Sequence, residues 1–192
     1  MYLFVRLKNL LFAPQQEWNV IKAEVISNFQ IYLKYVLWIA LLPSVGYLLS
    51  FLRYGSVLIN LRAAIINYAI VLISIDLSAY AIYLLAPSFN SVKDLNLSLK
   101  LAAFSMASLL VAGLLVFIPV LGAFVWIVGA AYGAYLLYLG LPVLLKTPED
   151  KRASYLVTAF VIMLGSYILL AVIASLIFEV GLLKLAFGSL VV

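Results

Sequence analysis

Residues 101–145 are forty-five consecutive uncharged residues, most of them apolar. A single α-helix of that length would measure about 68 Å, roughly twice the hydrocarbon core of a bilayer. The stretch must therefore cross a membrane twice, and Pro119 and Gly122 stand where the chain has to turn back. We predict one span over residues 101–118, a tight turn at Pro119, and another span over residues 120–145.

The span 120–145 carries four glycines on one helical face. Gly122, Gly129, Gly133 and Gly140 are separated by seven, four and seven residues, which keeps them in phase at about 3.6 residues per turn. Glycines at such spacings let two helix backbones approach closely in lipid. We predict a central transmembrane helix that other helices contact on its glycine side. The simpler interpretation is that glycine is common in membrane helices.

The composition of the whole chain is that of an integral membrane protein. Of 192 residues, 68% are hydrophobic and 10% are charged, whereas a soluble domain has about 25% charged residues. We predict an all-α, polytopic protein with five transmembrane helices in a single membrane domain, residues 1–192, and no separate soluble domain. The three other spans are predicted at about residues 35–52, 63–86 and 153–178.

Local signals refine these spans. Pro43 predicts a kink within the span at residues 35–52. Residues 87–100 read as a polar loop, in which Ser98 could cap the helix that follows. The apolar tail after Glu179 is expected to be either interfacial or packed on the bundle.

Residues 1–33 are predicted to form N-terminal amphipathic helices in the membrane interface. Pro14 suits the first position of a helix, and Trp18 is expected to anchor that helix at headgroup depth. Glu17 and Glu24 lie two turns apart on one flank. Their expected partners are three cationic residues, Lys22, Lys151 or Arg152. A divalent-ion site at the two carboxylates is one alternative, and a solvated flank with loose ion pairs is the simpler one.

Lys and Arg residues orient the spans, because they favour cytoplasmic loops. With the N-terminus inside, nine of the twelve fall inside and three fall outside. The nine are Arg6, Lys8, Lys22, Lys34, Lys93, Lys100, Lys146, Lys151 and Arg152; the three are Arg53, Arg62 and Lys184. This distribution predicts a multi-pass protein of the plasma (inner) membrane, with a cytoplasmic N-terminus and an external C-terminus.

Asp76 is the one charged residue inside the predicted spans. A carboxylate at such depth costs roughly 2.5–3.5 kcal/mol, so we expect it to face protein or trapped water. The expected hydrogen-bond partners are Ser74, Ser78, Tyr80, Tyr132 or Tyr135. One hypothesis is a cation or proton site, and the other is a carboxyl that joins two helices. Tyr132 and Tyr135 likewise either line a cavity or pack in the core.

The sequence carries no recognisable enzyme chemistry. It has no cysteine and no histidine, which excludes a thiolate nucleophile, a His/Cys metal site and the commonest general base. Neither GxxxxGK[ST] nor GxGxxG occurs, and a lone intramembrane carboxylate cannot form an aspartyl dyad. We predict a non-enzymatic protein without a cofactor. Its net charge of +5 reports topology and gives no sign of nucleic-acid binding.

Three motifs occur in a fixed order along the chain. They are LLFAPQQEWNVI at residues 10–21, followed by Glu24; YGAYLLYLGLP at residues 132–142; and Pro148, Lys151 and Tyr155 at the start of the last span. Within five predicted spans, this set resembles the Yip (Ypt-interacting protein) domain family, especially its prokaryotic inner-membrane branch. The resemblance covers nearly the whole chain.

The resemblance implies a membrane protein but no established reaction. Eukaryotic members of the family look to Rab-type GTPases and carry a cytosolic Asp-Leu-Tyr-Gly-Pro motif, which this sequence lacks, so Rab binding is not carried over. We predict a membrane organiser or partner-binding scaffold that contacts the lipid bilayer, a second copy, or other membrane proteins. The alternative is a small ion or solute transporter or channel built around Asp76.

Overall fold

The computed structural model describes residues 2–50, 52 and 56–187, without the side chains of residues 2, 119 and 178–187. The described residues are helical or lie in short connections, and no strand occurs among them. Five helices in this part are long and apolar enough to cross a membrane. The predicted class, an all-α polytopic membrane protein, is confirmed.

Seven helices are named here in chain order. α1 is Tyr2–Phe12 and α2 is Pro14–Ala23. The span-length helices are α3 (Asn28–Leu49), α4 (Val57–Leu85), α5 (Leu95–Leu115), α6 (Pro119–Leu145) and α7 (Glu149–Phe187). A 3₁₀ turn, Ala86–Phe89, extends α4, and both α3 and α5 are composite helices.

α3, α4 and α5 begin six or seven residues before the predicted spans. The reason is that each helix has a side-chain cap that precedes the charged residue next to the predicted span, which is Lys34, Arg62 or Lys100. The caps, which accept a backbone N–H of the first turn, are Ser27, Ser56 and Asp94. Asp94 and not Ser98 caps α5, and Ser98 donates to the Asp94 carbonyl oxygen instead.

Two proline signals are found where the sequence places them. α3 is interrupted by a turn at Ala40, three residues before Pro43, because proline lacks the N–H that would continue the ladder. α5 ends in a 3₁₀ turn, Gly113–Leu115, and Pro119 is the first residue of α6. The predicted reversal between the two uncharged spans is therefore confirmed.

α1 and α2 form a helical hairpin joined by Ala13. The Tyr132 hydroxyl donates to the carbonyl oxygens of Leu11 (2.8 Å) and Leu10 (3.3 Å), so the turn of the hairpin lies beside the middle of α6. At the other end of α2, Asn96 near the start of α5 donates to Ile26 O (2.9 Å). The hairpin is thus packed along the bundle as part of it, and is not a separate surface layer.

The central helix is α5 and not α6. In the most apolar stretch of α5, 83% of the residues are buried, against 28% for α6. The prediction of a central α6 is wrong because only its glycine face is covered, while residues such as Phe124 and Ile127 face outward. The predicted tail is helical as far as Phe187, and residues 188–192, like Arg53, lie outside the described residues.

Candidate functional site

The glycine strip of α6 packs against α5. A Cβ atom added to Gly129 would lie 2.8 Å from Ala112 Cβ and 3.0 Å from the Ser108 carbonyl oxygen. Gly122 and Gly133 similarly meet backbone carbonyl oxygens of α5. Ser108 Oγ also donates to the Gly129 carbonyl oxygen across the contact (2.8 Å). The strip is therefore covered inside the protein and is not free to bind another molecule.

Trp18 is fully buried and does not face headgroups as an anchor would. A Cβ atom on Gly140 would lie 2.9 Å from the Trp18 ring and 2.5 Å from Leu101 Cδ1, so the indole fills the space that this glycine leaves open. Its ring also packs edge-on against Phe104. The difference from prediction arises because α2 lies against α5 and α6. Pro14 is the first residue of α2, as predicted from its missing N–H.

A charged cluster joins the hairpin to α5. Arg6 bridges the two carboxylates, with Nη1 on Glu17 and Nη2 2.6 Å from Glu24 Oε2. Asn9 Nδ2 donates to the second oxygen of Glu17 (2.8 Å). Lys100 Nζ donates to the carbonyl oxygen of Glu24 (2.6 Å), at the C-terminal end of α2 where a cation is favoured. Arg6, Glu17 and Lys100 are buried, so two cations and two carboxylates balance in one cluster.

This cluster replaces the predicted surface pairs of Glu17 and Glu24. Their partner is Arg6, not Lys22, Lys151 or Arg152. Arg6 occupies the position between the carboxylates where a divalent ion would have to bind. Among the described residues, no group of three or more His, Cys, Asp or Glu side chains could hold a metal ion. The cluster therefore connects α1 and α2 with each other and with α5.

The tyrosines of α6 have separate surroundings. Tyr132 donates to the end of α1, and its ring contacts the ring of Tyr135, which is largely exposed. Tyr138 lies under the guanidinium of Arg152 near the start of α7. Three cavities lie in the described part of the bundle: one between α3, α5 and α6, one between α5, α6 and α7, and one between α3, α4 and α7. None of these tyrosines is in their walls.

Asp76 lies on the outside of the bundle. Its carboxylate accepts a hydrogen bond from the Tyr32 hydroxyl of α3, and not from any of the partners predicted for it. The residue lies about 28 Å along α4 from Val57 and about 14 Å from Leu85, well inside the helix. Asp76 is exposed and lines none of the three cavities. Asp76 therefore contacts protein at Tyr32, while the rest of its carboxylate is exposed.

The exposed face of α4 around Asp76 is otherwise mainly apolar. Its members recur every three or four residues, so they form one outward stripe along the helix. They are Arg62, Ile65, Ala69, Ile73, Asp76, Tyr80 and Leu84. No described cationic side chain forms an ion pair with Asp76. The stripe thus presents a carboxylate in the middle of an uncovered helix face.

A polar network that the sequence analysis missed links α3, α4 and α7. Tyr167 donates to Asn67 Oδ1 (2.9 Å), and Asn67 Nδ2 donates to Ser44 Oγ (3.3 Å). Tyr47 of α3 lies with Tyr167 in the walls of two cavities. The signal for Asn67 was an amide in the apolar span after Arg62, since such a group needs a partner in lipid. Arg6 and Lys100 had no comparable signal, because each stands at the edge of an apolar segment.

One comparison with known proteins finds a match. The family model described as the Yip1 domain matches residues 8–183, which is most of the chain. No curated protein and no solved structure matches the chain significantly. The matched region begins within α1 and ends within α7, so it includes α2 to α6, most of α7, the charged cluster except Arg6, and Asp76. This chain therefore belongs to the Yip1 domain family.

Proposed function

We propose that the protein is a non-enzymatic membrane organiser that binds a transmembrane helix of another protein through the outward stripe of α4. The observation that carries the proposal is the exposed carboxylate of Asp76 on a mainly apolar face. Such a group costs roughly 2.5–3.5 kcal/mol in hydrocarbon, and a polar partner in a neighbouring helix would offset that cost. Tyr32 supplies one donor and leaves the other carboxylate oxygen for the partner.

The chemistry of the partner follows from the charge. A second copy packed stripe to stripe about a two-fold axis along the membrane normal would bring the two Asp76 carboxylates to the same depth in one interface. Two carboxylates in contact repel each other. We therefore favour a different protein whose helix carries a Lys, Arg or amide side chain at the depth of Asp76.

Transport through Asp76 is the alternative function. It would need a water-filled path to the carboxylate, and Asp76 lines none of the three cavities between the described helices. We favour partner binding, because the exposed carboxylate supports it directly.

For the orientation, we propose the inner membrane, with a cytoplasmic N-terminus and an external C-terminus. The support is the excess of Lys and Arg at the end of the bundle that holds the 86–94 and 146–148 connections. Reporter fusions after residue 192 and in the 146–148 connection should give opposite locations. A cytoplasmic C-terminal reporter would contradict this orientation.

Because the chain has no cysteine, a cysteine introduced in place of Ile73 can carry a photo-crosslinking group at that position alone. Ile73 lies one turn from Asp76 on the stripe, so this group should capture a discrete partner in native membranes. Asp76→Leu should abolish that product, whereas Asp76→Asn should retain part of it because an amide still accepts a hydrogen bond. Equal crosslinking in the wild type and Asp76→Leu would contradict the proposal.

Two controls separate binding from folding and from transport. A probe at Ile168, on the exposed face of α7, should give no product that depends on Asp76. Thermal stability should change little in Asp76→Leu, since the side chain lies on the surface. Loss of an ion flux into vesicles in Asp76→Asn, with crosslinking unchanged, would favour transport instead.

A further inference from the structure

A groove opens on the side of the bundle between α3, α4 and α7. Its volume is about 210 Å³, which exceeds the ~150 Å³ of an apolar cavity known to hold a benzene ring. Ile59, Ile66 and Ile70 of α4 form one wall, and Ala171 and Ala174 of α7 form the opposite one. Ala63 of α4 is also in the lining. The groove exists because these alanine side chains are too small to fill the space between the helices.

Most polar groups of the groove already have hydrogen-bond partners. Asn67 and Tyr167 lie in the lining, and a hydrogen bond between them connects α4 with α7. The Ser175 hydroxyl, also in the lining, donates to the Val172 carbonyl oxygen of its own helix. Few polar groups are therefore left to bind a polar ligand. Its chemistry suits a hydrocarbon.

The depth of the groove in the membrane indicates which hydrocarbon it would bind. Asn67 lies about 15 Å along α4 from Val57, which places the groove within the hydrocarbon depth of a span. At that depth the surrounding medium consists of lipid chains. A groove that opens sideways at this level meets an acyl or isoprenoid chain before it meets any water-soluble ligand.

A smaller cavity lies behind the groove. It measures about 40 Å³ and is lined by residues of α3, α5 and α6, including Pro43, Gly113 and Trp126. Tyr47 and Tyr167 line both spaces. The tyrosine pair is therefore the partition between the outer groove and the interior of the bundle.

We propose that this groove binds one hydrocarbon chain of a bilayer lipid, with the Tyr47–Tyr167 pair as the inner limit of the site. The bound chain completes the packing of α7 against α3 and α4, where the described side chains leave a gap. The proposal is independent of the partner face at Asp76, which lies on the outward stripe of α4.

The test uses a phosphatidylcholine with a diazirine at the end of one acyl chain, reconstituted with the full-length protein. After irradiation, labelled peptides should come mainly from the groove walls on α4 and α7. Ala171→Phe should lower groove labelling by roughly tenfold, because the ring fills the space that the chain needs. Ala63→Leu, from the opposite wall, should act in the same direction.

The matched control is Ala69→Leu, at an exposed alanine of α4 outside the groove lining. It should leave groove labelling unchanged, and all variants should keep their thermal unfolding temperature within a few degrees. Labelling that is spread evenly over outward positions such as Val161, and is unaffected by either filling variant, would overturn the proposal. A labelling loss in Ala69→Leu equal to that in Ala171→Phe would also overturn it.

A second arm asks whether the tyrosine pair limits the chain. Tyr167→Ala should join the two spaces and extend labelling to Leu110 of α5, a buried residue that lines the smaller cavity. Tyr167→Phe keeps the ring and removes the hydroxyl, so its labelling should stop at the groove as in the wild type. Labelling at Leu110 in the wild type would show that the pair is not the inner limit.

Discussion

α5 and α7 are both long apolar helices, yet their surroundings are opposite. In the most apolar stretch of α5, 83% of the residues are buried, whereas the figure for α7 is 6% although α7 is the more apolar of the two. In a water-soluble protein we would expect the more apolar helix to be the more buried one. In a bilayer this expectation does not hold, because lipid chains are as apolar as leucine and apolarity alone does not drive helices together.

Side-chain size accounts for the difference. The middle of α5 is rich in small residues: Ala102, Ala103, Ser105, Ala107, Ser108, Ala112 and Gly113. Close approach to α6 and α3 is possible at these positions, for instance where Gly46 of α3 meets the carbonyl oxygen of Gly113. α7 instead directs Val161, Ile168 and Leu169 outward. Shape and not hydropathy decides which span becomes the core.

The largest effect should come from a bulky residue at the α5–α6 contact. Gly129→Leu would force a side chain against Ala112 and the Ser108 carbonyl, with backbone on one side that cannot give way. We expect a loss of at least about 3 kcal/mol in the free energy of unfolding, the upper range for overpacking. Unfolding in mixed detergent micelles, followed by circular dichroism, would measure it.

The matched control for this variant is Gly165→Leu in α7. A Cβ atom at Gly165 would meet nothing within 4 Å, so the same change should alter stability by less than about 0.5 kcal/mol. Equal destabilisation by both variants would mean that the loss of glycine itself, and not a steric clash with a neighbouring helix, lowers stability. The contrast between α5 and α7 would then have no basis in packing.

A smaller effect is expected from the buried cation of α5. Lys100→Met would leave the Ile21 and Glu24 carbonyl oxygens without their donor and would unbalance the charged cluster. The expected loss is about 1–3 kcal/mol in the free energy of unfolding, measured in the same way. Lys93→Met, at an exposed lysine over the Tyr83 ring, should cost much less. Equal losses would mean that the cluster does not hold the hairpin.

The smallest effect should come from a single hydrogen bond across α5 and α6. Ser108→Ala removes the donor to the Gly129 carbonyl oxygen and should cost about 0.6 kcal/mol, the average for such bonds in membranes. Ser175→Ala in α7 removes a hydroxyl that bonds only its own helix, at Val172 O, and should have no measurable effect. A larger loss for Ser175→Ala would contradict the comparison.

The sequence predicted the number of spans, the reversal at Pro119 and the family. These features depend on local signals: uncharged length, a proline and ordered motifs. It misplaced the starts of α3, α4 and α5, because a charge near a span end need not end the helix when a cap lies beyond it. It also missed Arg6 as the partner of Glu17 and Glu24, since that pairing exists only once α1 folds back on α2.

The sequence by itself determined that this protein lies in a lipid bilayer and how many membrane spans it has. The reason is that the transfer of an apolar segment into lipid depends on that segment alone. Only the tertiary structure decided that α5 is central, that Tyr32 contacts Asp76 and that Asp76 faces outward. Those outcomes depend on the fit between helices that are distant in the chain, and in lipid that fit is set by shape and by a few polar contacts.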